Sequence, residues 1–183
     1  MRVISGIYRG RVLKSPPDNK TRPTSDRLRE TLFDVLAPRI DDKTRFLDLC
    51  SGTGAIGIEA LSRGVAFVTF VDKSKKSCAL IEENLDKLAI PESTTDILGL
   101  EAETFAGRLH KLGWDIAYYD PPYDADYSLV LHEFGFNETL LASGGILVVE
   151  HHTKKHVPDE IGTLRRWRIL KQGETTLSFY ERD

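Results

Sequence analysis

The run Tyr118-Tyr119-Asp120-Pro121-Pro122-Tyr123 places a carboxylate, a carbonyl held between two prolines and an aromatic ring in consecutive positions. Those groups suit one chemical problem. An exocyclic amine on a nucleobase is a poor nucleophile, because its lone pair is delocalised into the ring. Two acceptors that take its two hydrogens favour a pyramidal nitrogen whose lone pair points at an electrophile. Asp120 and the Pro121 carbonyl are the candidate acceptors, Pro121 and Pro122 restrain that carbonyl, and Tyr123 is placed to stack on a base swung out of its helix. In isolation the same tetrad is equally a Pro-Pro turn with a local Asp cap.

A second constellation lies upstream, in Asp48-Leu49-Cys50-Ser51-Gly52-Thr53-Gly54-Ala55-Ile56-Gly57. Gly52, Gly54 and Gly57 fit G-x-G-x-x-G, a loop whose backbone approaches a ligand closely and leads into a helix N-terminus with unpaired N–H groups. Asp72 follows 20 residues after Gly52, at the end of the next apolar run, where a carboxylate meets ribose hydroxyls. The glycines and Asp72 fit a dinucleotide as well as S-adenosylmethionine. Asp48 separates the two, since a carboxylate beside the loop suits the ammonium of a methionine moiety, or an ordered water, and repels a pyrophosphate. Asp48, Ser51, Gly52, Thr53, Gly54 and Asp72 are the candidate donor site. The bland alternative is that Asp48 and the glycines only cap a helix and make a turn.

The elements that must position these groups alternate. Apolar runs at Arg45 to Leu49, Phe67 to Val71, Asp96 to Leu98, Asp115 to Tyr119 and Ile146 to Glu150 are separated by helical stretches near Ala55 to Arg63, Lys75 to Leu88, Ala102 to Leu112 and Tyr127 to Leu141. That rhythm predicts a parallel sheet with right-handed crossovers. It stops after Glu150, where Arg166 to Lys171 and Thr176 to Tyr180, around Gln172-Gly173-Glu174, predict an antiparallel edge hairpin. The N-terminus reads as a small hairpin, Val3 to Ile7 and Arg11 to Leu13. A loop at Ser15 to Asn19 follows, and then a helix from Ser25 to Ala37 with Thr24 or Ser25 as N-cap and Leu28, Leu32, Val35 and Leu36 on one face. The fold class expected is α/β, a Rossmann-like methyltransferase fold with a mainly parallel seven-stranded sheet. One domain spans 1–183, with 1–37 as an extension.

Charge is uneven. The chain of 183 residues carries 25 basic and 28 acidic side chains, a formal −3. Residues 1 to 29 hold eight Lys/Arg against Asp18 and Asp26, a formal +6, which leaves −9 for the remainder. A cationic segment on an acidic body suits a phosphate backbone, and Arg9, Arg11, Arg22, Arg27 and Arg29 are its candidate contacts. A merely solvated basic face explains the same count. Two cysteines exclude a disulfide framework or a four-thiolate zinc site. His151, His152 and His156 read as surface or loop histidines and Trp114 and Trp167 as packing residues at strand starts, so no metal is expected. No apolar run approaches a membrane span or a signal peptide, and a cytoplasmic location is expected.

The segments Arg22 to Glu30, Glu59-Ala60-Leu61-Ser62-Arg63-Gly64, Asp120 to Tyr123 and Thr176-Leu177-Ser178-Phe179-Tyr180, with the glycine loop, resemble the RsmD-type methyltransferases over nearly the whole chain. That family methylates the 2-amino group of a guanine in small-subunit (16S) ribosomal RNA. The resemblance implies that Asp48, Gly52 and Gly54 bind S-adenosyl-L-methionine, Asp72 its ribose, and Asp120 with Tyr123 the target guanine. Glu101, after the third strand, is the candidate beside the adenine. Cys50 and Ser51 stand where members often have an aromatic and a small residue. The implied partner is ribosomal RNA, within a small subunit or its assembly intermediate, bound by a monomer away from membranes. Two other enzymes share parts of the pattern. A DNA or other RNA amino methyltransferase shares the tetrad, and a nicotinamide oxidoreductase would explain the glycines and Asp72 but not Asp48 or Asp120 to Tyr123.

Overall fold

The computed structural model describes residues 1–16 and 25–182. Among these, eight strands, β1 (Arg45–Leu49), β2 (Phe67–Val71), β3 (Thr95–Leu98), β4 (Trp114–Tyr119), β5 (Leu141–His152), β6 (Glu160–Ile161), β7 (Leu164–Gln172) and β8 (Thr175–Arg182), form one sheet. Its order is β3-β2-β1-β4-β5-β8-β7-β6. The first five strands are parallel, while β8 and β7 are antiparallel to their neighbours. The helices are α1 (Asp26–Leu36), α2 (Ala55–Ser62), α3 (Lys75–Lys87), α4 (Ala102–Ala106) and α5 (Ser128–Phe136).

Burial on both faces explains why the central strands lack polar alternation. Phe46, Phe70, Tyr118 and Val148 pack on one side with Leu32, Phe33 and Leu36 of α1 and Ile58 of α2. Leu47, Leu49, Tyr119 and Val149 pack on the other with Phe105 of α4 and Phe134 of α5. Gly57 is what lets α2 lie close to the sheet: a Cβ there would stand 2.3 Å from Phe70 Cε1 and 2.8 Å from Val68 Cγ1. Because β1 pairs with both β2 and β4, chain order reverses between β1 and β4, and the crevice opens at their carboxyl ends.

Several expectations need correction. The sheet has eight strands rather than seven, since Glu160–Ile161 adds a two-residue edge to β7. The N-terminal hairpin is shorter than expected: one antiparallel bridge, Arg2 to Val12, flanked by Val3, Gly10 and Leu13 N–H donating to the Arg11, Val3 and Met1 carbonyls (2.9, 2.9 and 3.0 Å), because the rest of its backbone bonds elsewhere. Ile4 and Ser5 N–H donate to the Glu59 carboxylate (2.8 and 3.0 Å), Tyr8 N–H donates to Ser62 Oγ (3.0 Å) and Lys14 N–H to Asn84 Oδ1 (2.7 Å). This docks the segment on α2 and α3 and explains the chemistry of Glu59-Ala60-Leu61-Ser62. Helix α4 stops at Ala106 instead of Leu112, where Asn137 Nδ2 donates to the carbonyls of Ala106 and Arg108 (3.0 and 2.8 Å). Trp114 begins β4 as a buried packing residue. Trp167, by contrast, lies inside β7 at a register shift and is 45% exposed.

Helix α1 runs Asp26–Leu36 with Ser25 as its N-cap, Oγ accepting from Leu28 N–H. Arg29 faces inward with Leu28, Leu32, Phe33 and Leu36 and is fully buried. One of its terminal nitrogens donates to the Arg2 carbonyl (2.7 Å) and to Asp26 Oδ1 (2.8 Å). Arg29 is therefore a structural tie and not an exposed phosphate contact. Arg9, Arg11 and Arg27 are exposed, while Arg22 lies outside the described residues.

Candidate active site

Strand β1 ends in Asp48-Leu49, and the chain then turns through Cys50 at φ 66°, Gly52 at 55° and Gly54 at 75° before α2 begins. Left-handed backbone at a residue with a side chain costs about 1–2 kcal/mol, so Cys50 shows how strongly its surroundings determine this turn. Its N–H and that of Ser51 both donate to the Val71 carbonyl (2.9 and 3.1 Å). Ser51 Oγ is buried against the Asp48 and Val71 carbonyls (2.6 and 3.2 Å) and accepts from Val71 N–H (3.0 Å). Ser51 thus splices the ends of β1 and β2. Thr53 offers its carbonyl to Asn84 Nδ2 (3.2 Å). A Cβ on Gly52 would meet nothing within 4 Å, so this part of the loop faces open space.

Asp48 is almost fully buried, and its Oδ2 accepts from Gly57 N–H (2.9 Å) in the first turn of α2. Burial pushes its carboxyl up to about 8, against the Gly57 hydrogen bond, with the Asp72 charge pushing the same way. Asp72 holds the loop from the other side, Oδ2 accepting from Gly52 N–H (2.9 Å) and Oδ1 from Ser74 N–H (2.8 Å). Asp120 follows β4 directly, its N–H donating to the Leu49 carbonyl (3.2 Å). Burial, then Glu150 and Asp48, raise its carboxyl well above the usual range. Pro121 is buried and Pro122 exposed; the Pro122 carbonyl accepts from Ala125 N–H (2.9 Å). Among the described residues the Pro121 carbonyl takes no backbone hydrogen bond.

The fold brings Asp48, the glycine loop, Asp72 and Asp120 to one edge. Glu101 is the exposed residue preceding α4, 3.5 Å from Lys73 Nζ, the residue after Asp72. Sequence reasoning missed four residues around the tetrad and the strand that leads into it. Lys155 Nζ donates to the Tyr123 carbonyl (3.3 Å) and to the Ala125 carbonyl and sits 3.8 Å from the centre of the Tyr127 ring, clamping the loop after Asp120. Thr175 Oγ1 is 3.0 Å from the Tyr123 hydroxyl, and the His152 ring meets the Tyr123 ring edge-on at 5.4 Å. Glu150, on β5, receives the Tyr118 hydroxyl. No local motif marks these residues; pairing of β5 with β4 and β8 delivers Glu150, His152 and Thr175, and the turn after β5 delivers Lys155. His151 also differs from expectation, since it is buried on β5 with its ring nitrogens 3.0 Å from the His152 carbonyl and 2.9 Å from Ser178 Oγ.

The donor set selects the ligand. Cys50, at the centre of the crevice, has its thiol pushed up by burial and then by the charges of Asp120, Asp72, Asp48 and Glu103. A cleft ringed by carboxylates, with Asp48 already occupying the first turn of α2, opposes a pyrophosphate and fits a ligand bearing a sulfonium and an ammonium. The open face at Gly52 leaves room for it. Fold and crevice together define a Rossmann-like methyltransferase that uses S-adenosylmethionine. The family model described as Conserved hypothetical protein 95 matches residues 1–181, and the chain belongs to this family, the RsmD-type methyltransferases of the sequence resemblance. The ribosomal RNA small subunit methyltransferase D of Escherichia coli strain K12 is 30% identical over 186 residues, covering 100% of this chain and 90% of that protein. Among solved structures, the Thermus thermophilus hypothetical protein TTHA0928 superposes with a TM-score of 0.82 at 29% identity, covering 98% of each chain. SMU.776, solved in complex with SAH, shares the fold at 16% identity and a TM-score of 0.60, over 75% of this chain and 44% of that one.

Proposed function

We propose that the chain methylates the exocyclic 2-amino group of a guanine in small-subunit ribosomal RNA, the RNA named for the Escherichia coli relative. The observation that carries the reading is the placement of Asp120 and the Pro121 carbonyl at the end of β4, beside the glycine loop at the end of β1. Bound S-adenosylmethionine supplies an electrophilic methyl group. Gly52 and Gly54 give the backbone its approach to the ligand, Asp72 faces the ribose and Asp48 the ammonium. Ser51 and Thr53 hold the loop, and Glu101 borders the adenine side.

The acceptor side depends on Asp120. Burial raises its carboxyl, which in either form offers an oxygen to one amine hydrogen, and the Pro121 carbonyl takes the other. Tyr123, fixed by Thr175, His152 and Lys155, supports the base. Ribosomal RNA in a small subunit or assembly intermediate, met by a monomer, completes the reading. Methyl transfer to naked 16S RNA, assembled small subunits and DNA, with the product nucleoside identified, tests it: 2-methylguanosine from RNA is expected, and methylated DNA alone or another nucleoside refutes it. Asp120→Ala should keep donor affinity and lose roughly 100- to 1000-fold in single-turnover rate, comparable to one preorganised hydrogen-bonding group.

A further inference from the structure

The edge of the sheet beyond β5 carries a charge that the overall balance hides. Residues 30 to 183 are net −9, yet residues 151 to 172 hold six Lys/Arg against Asp159 and Glu160 alone. Part of this charge lines a cleft of about 270 Å³ over the carboxyl ends of β5 and β7 and the start of β8, whose rim includes Lys154, His156 and Lys171. Not every cation there is spare. Arg166 is committed to the Val157 carbonyl and to Asp159, and Lys155 reaches into the loop after Asp120. Lys154 and Lys171 are exposed, and neither has an ion-pair partner among the described residues.

The floor of the cleft is polar and ordered. Thr176 Oγ1 donates to Thr153 Oγ1 (3.2 Å), and Ser178 Oγ pairs with the buried His151. Ile169, 43% exposed, adds an apolar wall. The cleft also adjoins the catalytic loop, because Lys155, which lines it, donates to the carbonyls of Tyr123 and Ala125. Spare cations, hydroxyls and an apolar wall beside the acceptor position match a sugar–phosphate backbone.

We infer that this cleft binds backbone phosphates of the RNA next to the nucleotide presented to Asp120, with Lys154 and Lys171 as the contacts. The inference rests on the proposed RNA substrate. It gives the acidic body its own RNA surface, separate from the N-terminal segment.

The test compares wild type with Lys154→Ala/Lys171→Ala, using in vitro transcribed 16S RNA between about 50 and 200 mM salt. Leaving two phosphates without their lysines should lower the log–log salt slope by about 1.4–1.8 and weaken binding roughly 25- to 60-fold at 0.1 M salt. KM for RNA should rise, while kcat, S-adenosylhomocysteine affinity and melting temperature stay unchanged, and Lys154→Arg/Lys171→Arg should restore the slope. An unaltered slope in the folded alanine variant overturns the inference while leaving the methylation reading intact. A defect seen with assembled subunits but not with naked RNA overturns it in favour of a protein contact. A wild type that binds RNA with a slope the alanine variant lowers as expected, yet never methylates it, refutes the proposed function and leaves the cleft standing.

Discussion

Asp48 makes a prediction in which stability and ligand affinity respond to pH with opposite signs. Its carboxyl is raised from 3.8 to about 8 by burial, despite the Gly57 N–H that favours the ionised form. The gap corresponds to roughly 6 kcal/mol between the two protonation states. The folded protein holds a proton at Asp48 that the unfolded chain has already released. From this group, stability therefore falls as pH rises from about 4 to about 8, by at most about 1.4 kcal/mol per pH unit, and levels off above. A cationic ligand reverses the preference, because it favours the carboxylate. Affinity should rise up to about tenfold per pH unit below 8, and binding at pH 7 should release close to one proton. Calorimetry with S-adenosylhomocysteine in buffers of different ionisation enthalpy reads that proton directly. Asp48→Asn keeps an acceptor for Gly57 N–H and removes the titration, so the variant retains only the pH dependence of the ligand's own amine. Identical pH profiles and proton release in wild type and Asp48→Asn would falsify the placement of Asp48 against the ligand's cationic end.

The glycines of the loop should separate into packing and binding roles. Gly57→Ala drives a methyl to 2.3 Å from Phe70 and should lower stability by about 1–3 kcal/mol, measured by denaturant titration. Gly54→Val, at φ 75° with its Cβ 3.0 Å from Ile81 Cγ1, should abolish donor binding in protein that still folds; unchanged affinity would count against the loop. The arginines divide in the same way. Arg29→Ala should cost on the order of 2–3 kcal/mol by unmaking its bonds to Arg2 and Asp26 and leaving a cavity. Arg9→Ala/Arg11→Ala/Arg27→Ala should leave the melting temperature alone and lower the RNA salt slope by about 0.7–0.9 for each phosphate no longer neutralised. A lower melting temperature with the original slope would make those three residues structural too.

Strands β1 and β2 were legible to the residue, because apolar runs bounded by charge and glycine can be satisfied only in a sheet buried on both faces. The glycine loop, Asp48, Asp72 and the tetrad were legible for a related reason. Each is a local solution to a backbone or chemical requirement, and local requirements leave fixed spacings. The short α4 and the long β5 were not, since their ends depend on Asn137 capping α4 from a distance and on β5 pairing with β4 and β8 along its length.

What sequence alone determined was the order of elements, the acceptor pair and the carboxylates at the strand ends. Tertiary structure decided which charges are free to act. Arg29 reads as one more cation in a basic run until α1 turns it into the core, where Asp26 and a carbonyl hold it. Lys154 and Lys171 stand 17 residues apart in a chain of net negative charge, and only the antiparallel return of β8 brings their segments to one cleft. Charge counts sum along the chain, whereas a phosphate or a buried carboxylate responds to distance and dielectric, and both are set by folding.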